Sequence, residues 1–130
     1  MELYSRTHGL VQILAAQGRI DHAHANAFEV ALAPHLLLCN ASGTPLVLDL
    51  SGVDFISSVG LRVLMLAAKQ VKAQQGKIAV AALTPVVSEV FLVSRFNLVL
   101  KVFGSADEAA VALASRKSSS GEREVPFPCR

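Results

Sequence analysis

Charge is scarce in this chain. Asp, Glu, Lys and Arg make up 17% of its 130 residues, against 52% hydrophobic. That balance excludes a globally disordered protein and leaves ample material for one compact core. Long apolar runs are missing as well. The run "LVL" stops at Asp49, and "FLV" lies between Glu89 and Arg95, far short of the ~20 apolar residues of a membrane-spanning helix. The first residues, MELYSRTHG, show no basic stretch leading into an apolar one. No secretory leader and no membrane insertion are expected, and a cytoplasmic location is. Cysteine is down to Cys39 and Cys129. Two thiols so far apart exclude a disulfide framework or a zinc site, and both are expected to be reduced.

The net charge of +2 is a property of one end. Residues 1–115 hold eight Lys/Arg and eight Asp/Glu, whereas residues 116–130 hold four basic and two acidic residues. The folded part therefore carries no net basic charge of the kind that meets nucleic acid, and no nucleic-acid partner is expected.

Templates for catalysis are also absent. "GVDFISSVG" lacks the lysine of a phosphate-binding P-loop. His22 and His24 are two apart, so on a helix they point away from each other and cannot share a metal; they read as surface residues of a first turn. Asp49 and Asp54 read as a strand-end acid and a turn former rather than as an acid–base pair. No His or Cys sits in a nucleophile context near Ser57 or Ser58. No catalytic residue, metal site or cofactor is expected, and the chain is not expected to be an enzyme.

What is present is an alternation of strands and helices. Residues 2–7 and 10–17 read as two strands broken at His8-Gly9, with Gly18 ending the second. Asp21 is placed to cap a helix bearing Ala25, Phe28 and Leu32, with Pro34 kinking or ending it near Leu32. "PLVLDL" at 45–50 reads as a central strand, and "SGVDF" as a turn. A helix is expected over Ser58–Gln75, with Gly76 as its C′ residue. A strand at 77–83 follows, then a helix over about 86–95 with Pro85 at its first position. A last strand is expected at 98–103. Ser105 caps a final helix whose Asp107 and Glu108 suit the positive helix end. From Arg116 the sequence RKSSSGEREVPFPCR shows no periodicity and reads as a disordered tail. The order β-β-α-β-α-β-α-β-α implies an α/β fold, with a mostly parallel central sheet of about five strands and about four helices. It divides into one domain over 1–115 and a tail over 116–130.

The stretch "DFISSVGLR" at 54–62 stands out. A buried strand hands over to a helix across two serines. Ser57 is the expected N-cap, accepting an N–H from Val59 or Gly60. Ser58, the first helical residue, need cap nothing, so its hydroxyl is free to face solvent. A phosphoryl group there would sit in the positive field of the helix start. Taken alone, the pattern favours an unmodified helix cap, because helix starts commonly carry serine.

"PLVLDLSGVDFISSVGLRVLMLAAKQVKAQQGKIAVAAL", "QGRIDHAHANAFE" and "TPVVSEVFLVSRFNLVLKVFGSADEAA" together resemble the STAS domain, the fold of bacterial anti-sigma-factor antagonists, over about residues 2–115. The resemblance implies a STAS-like fold and a protein that acts by partner switching. The unphosphorylated form would bind a serine-kinase anti-sigma factor, which would phosphorylate Ser58. A serine phosphatase is a further expected partner. The residue before the phosphoacceptor is often Asp in that family and is Ser57 here. Asp21 matches an acid close to the phosphorylatable serine, so it is read both as helix cap and as partner surface. The implied partner surface comprises Asp21, His22, Ser57, Val59, Gly60, Leu61 and Arg62. Gly60 is expected to keep the first turn bare for another protein's backbone. Alternative readings are a STAS module of a membrane transport or multi-protein sensor complex, and a small enzyme or nucleotide-binding domain.

Overall fold

The computed structural model of the chain describes residues 3–41 and 43–115. The tail reading over 116–130, Cys129 with it, lies outside the described residues. Five strands form one sheet in the order of the sequence: β1 (Leu3–His8), β2 (Val11–Ile20), β3 (Leu46–Ile56), β4 (Ile78–Ala81) and β5 (Lys101–Phe103). Only β1 runs antiparallel, joined to β2 through a two-residue turn in which Gly9 takes φ 63°. The parallel pairs are bridged by α1 (Ala25–Leu37), α2 (Ser58–Ala73) and α3 (Pro85–Val93), and α4 (Ala106–Ser115) follows β5.

Two apolar clusters sandwich the sheet. On one face, Leu14, Leu48 and Leu50 meet Phe28, Leu32, Leu64 and Phe91 of the three bridging helices. On the other, Val11, Ile13, Val47 and Ala79 lie under Ala109, Ala110 and Leu113 of α4. Strands covered on both faces are apolar throughout, as β3 is over Leu46, Val47 and Leu48.

The structure moves several expected boundaries. β2 does not end at Gly18 but bends there: Gly18 adopts φ 96° at a register shift, and the strand resumes to Ile20. A glycine in this conformation is a bulge, not a stop. "SGVDF" is likewise strand rather than turn, because β3 continues to pair with the lengthened β2 as far as Ile56. Gly52 allows it, since a Cβ there would come 3.0 Å from Gln17 Cγ and 3.1 Å from the Ala16 carbonyl.

Pro34 does not end α1, which runs on to Leu37. Val30, whose carbonyl loses its donor to the proline, and Pro34 itself are exposed, so water can satisfy the freed group. Leu36 is buried and holds the last turn down. α2 ends in a Schellman arrangement, with Gly76 N donating to Val71 O at 2.9 Å and Gln75 N to Lys72 O at 3.0 Å. The left-handed C′ residue is Gln75, at φ 64°, and not Gly76. Gly76 serves a different need: a Cβ there would lie 2.3 Å from the Cys39 carbonyl oxygen.

The last strand is shorter than expected. A 3₁₀ turn takes Phe96–Leu98 and β5 starts only at Lys101. Phe96 is buried with its ring edge-on to Phe91, centroids 5.2 Å apart, and that packing holds the segment off the sheet. Cys39 is buried, its thiol donating to Lys77 O at 3.1 Å. Burial pushes its pKa up, which disfavours the reactive thiolate.

Candidate functional site: the start of α2

Parallel strands deliver their C-terminal ends to one edge of the sheet. Ile20 of β2 and Ile56 of β3 are register partners, and Ser57 N donates to Ile20 O at 2.9 Å. Asp21 and Ser57 therefore leave neighbouring strands at the same edge, and the α2 start stands beside the turn that leads to α1.

Ser57 caps α2. Its backbone is extended (φ −90°, ψ 173°) and its Oγ accepts from Gly60 N at 3.2 Å. Replacing Ser57 with Ala is expected to lower stability by about 1 kcal/mol, read as a lower urea midpoint with an unchanged slope. Ser58 is the first helical residue and is exposed. The cap leaves the Ser58 hydroxyl outside the helix's own bonding, at the end where the helix dipole favours negative charge.

The remaining expected site residues divide by exposure. His22 and Arg62 are exposed; Val59 and Leu61 are half-buried and pack against the core. Gly60 is buried, and its bare side faces inward. A Cβ there would meet Ile20 Cγ2 at 2.8 Å, Ile20 O at 2.9 Å and Ile56 Cγ1 at 2.9 Å. The expectation that Gly60 clears room for another protein's backbone is thus corrected: the close approach it permits is that of α2 onto β2 and β3.

Asp21 is not the N-cap of α1; that position belongs to His24. A separate turn intervenes, with Asp21 Oδ1 accepting from His24 N at 3.1 Å and lying 2.7 Å from His24 Nδ1. Its other oxygen lies 3.5 Å from Arg19 Nε, and the Arg19 guanidinium lies 4.7 Å over the Phe55 ring. Arg19 escaped the sequence reading, and His24 was read only as a surface residue of a first turn. The signal for Arg19 was hidden by taking Gly18 as a strand end, which removed the period-2 register linking residue 19 to the pleat.

The hydrogen bond from His24, before any other influence, holds the Asp21 carboxyl below its ordinary value of 3.8. A depressed carboxylate pKa stabilises the fold above the unfolded value, and that stabilisation disappears as pH falls through the folded value. Asp21→Asn is therefore expected to flatten the loss of thermal stability below pH 3.8 while changing little near neutrality beyond the lost Asp21 bonds. Tm measured from pH 2 to 7 checks this. Asp49 serves its own strand, accepting from Ser51 N at 3.0 Å. Among the described residues no three His, Cys, Asp or Glu side chains gather as metal ligands, and no helix is long and apolar enough to cross a membrane.

The architecture and the site together define a class: a small α/β domain with a solvent-facing serine at the start of its central helix. The family profile described as "Mlab, STAS domain" matches residues 5–102. BtrV of Bordetella bronchiseptica, an inferred anti-sigma factor antagonist, is 39% identical over 100 residues, covering 77% of this chain and 84% of BtrV. A crystal structure of an anti-sigma factor antagonist from Mycobacterium paratuberculosis superposes with a TM-score of 0.76 at 26% identity, covering 87% of this chain and 93% of that one. An anti-sigma-factor antagonist domain protein from Planctomyces limnophilus shares the fold, at TM-score 0.77 and 20% identity over 86% of this chain and 97% of that one. The chain belongs to the STAS domain family, among its anti-sigma factor antagonists.

Proposed function

We propose that this chain is a cytoplasmic partner switch controlled at Ser58. Unphosphorylated, it binds a serine-kinase anti-sigma factor and so releases that factor's client. The contact is made at the sheet edge where Asp21, His22, Ser57, Val59, Leu61 and Arg62 surround Ser58, with Gly60 supporting the helix start from within. Phosphorylation of Ser58 by the bound kinase ends the association, and a serine phosphatase restores it. The chain itself plays a regulatory part and catalyses nothing.

One observation carries this reading. The Ser57 hydroxyl is occupied in capping α2 while Ser58, next to it, is exposed at the first helical position. A phosphate on Ser58 adds about −1.5 to −2 charges without removing a cap, so the fold can persist in both states while the surface changes. The relative named as an antagonist and the similar antagonist structure support an anti-sigma factor as the partner.

The test is to incubate the chain with the serine-kinase anti-sigma factors encoded in the same genome, and to map any phosphate by mass spectrometry. Stoichiometric modification of Ser58 is expected. Modification of Ser57 alone, or of neither serine by any of these kinases, would overturn the proposal.

A further inference from the structure

The even charge balance of residues 1–115 conceals a segregation. No Asp or Glu occurs between Asp54 and Glu89, while Arg62, Lys69, Lys72 and Lys77 all do. Three of these cations fall on α2. Its exposed positions include Ser58, Arg62, Leu66, Lys69 and Lys72. Successive steps of four, four, three and three residues keep them along one side of the helix. Arg62, Lys69 and Lys72 form no ion pair with any described residue, although α1 and α3, the other helices on this face of the sheet, carry the exposed acids Glu29 and Glu89. Leu66, at 42% exposure, is a large apolar side chain in the middle of the row.

We infer that this row is an extension of the Ser58 surface, and that it docks an acidic face of the partner protein with an apolar socket for Leu66. The inference rests on the proposed function, since it names the chemistry of the surface that the partner presents. Two observations select this occupant. The row is continuous with Ser58, with Arg62 one turn along from it, and its charge is of one sign with no acid on α2 itself and no ion pair to a described residue. An isolated lysine on a helix is ordinary solvation. Three unpaired cations flanking an exposed leucine and ending on the serine form a directional pattern.

The row also sharpens the switch. Unmodified, it presents three positive charges. A phosphate on Ser58 brings the total to about one, and it stands four residues before Arg62, within pairing reach on a helix. Phosphorylation would therefore both add repulsion toward an acidic partner and occupy the nearest cation.

The experiment uses the full chain and the kinase captured by Ser58→Ala bait, with association followed at 50 and 300 mM NaCl. Wild type is expected to associate at least ~10-fold more slowly at the higher salt, as screened charge steering requires. The triple variant Arg62→Glu, Lys69→Glu, Lys72→Glu is expected to bind at least ~30-fold more weakly at 50 mM and to lose the salt dependence. The exchange Arg62→Lys, Lys69→Arg, Lys72→Arg should retain both. If the triple variant folds poorly, Lys69→Glu with Lys72→Glu, both at exposed positions, repeats the test. Binding by the reversed variant equal to wild type, with the same salt slope, overturns the inference; if Ser58→Asp still fails to bind, the switch reading stands without it. If Ser58→Asp binds as tightly as wild type, the switch reading itself fails. Loss of binding to vesicles of 70:30 phosphatidylcholine and phosphatidylglycerol in the triple variant, with kinase binding untouched, assigns the row to a lipid surface and overturns the inference.

Discussion

Ser58→Asp is expected to weaken binding to the anti-sigma factor more than a hundredfold while leaving the fold at least as stable as before. These two effects have opposite signs, and that makes the prediction sharp. At the first position of α2 a carboxylate faces the positive end of the helix dipole, which contributes about 0.3–1 kcal/mol in its favour. The cap is undisturbed because the bond to Gly60 N comes from Ser57. In a protein interface, the same carboxylate must be stripped of water, which costs several kcal/mol, and a pairing with Arg62 takes that cation away from the partner. A loss of ~3 kcal/mol already exceeds two decades in Kd. Ser58→Ala, which adds no charge, is expected to bind within about threefold of wild type. Calorimetric titration and thermal melts on the same preparations measure both signs. Equal affinity of Ser58→Asp and wild type would refute a charge-driven switch.

Gly60→Ala is the second large effect, and helix propensity alone would predict its opposite. Alanine inside a helix is favoured over glycine by ~1 kcal/mol. Here the new methyl would lie 2.9 Å from the Ile20 carbonyl oxygen and as close to two isoleucine side-chain carbons. Overpacking of this kind costs typically 1–3 kcal/mol, and the backbone oxygen cannot swing aside as a side-chain tip can. Taken at the upper end of that range and set against the ~1 kcal/mol propensity gain, a net destabilisation of about 2 kcal/mol is expected from urea unfolding. Partner affinity should fall as well, because the displaced turn carries Ser57 and Ser58. A stabilised Gly60→Ala protein would show that α2 has room to move off β2.

These two residues also show what was legible in the sequence. Ser57 was readable as a cap, Ser105 likewise, and Pro85 as a first helical position, because each signal is local. Ser105 Oγ accepts from Glu108 N at 3.1 Å, within three residues of itself. The alternation of elements gave the mostly parallel sheet for the same reason. Strand extent was not local. Whether "SGVDF" continues β3 depends on a partner more than thirty residues away, Gln17–Ile20, and that partner was itself cut short by reading Gly18 as a stop. Gly60 and Gly76 look alike in sequence to glycines that free the backbone. Their actual constraints, Ile20 and the Cys39 carbonyl, belong to other segments. The Arg19–Asp21–His24 cluster was hidden by the same mistake about Gly18. The exposure of Ser58 followed from its neighbour's cap, whereas the basic row was masked by averaging charge over residues 1–115.

Because strand order equals sequence order, the sheet can be assembled by simple accretion during synthesis. Each strand leaving the ribosome finds its neighbour already in place, and no strand has to be threaded between two others. The exception is the covering of the second face. Among the described residues, Val11, Ile13, Val47 and Ala79 are shielded by α4, the last of the described elements to be made. Until α4 arrives, a nascent chain carries a finished switch end on a sheet whose second apolar side lacks that cover.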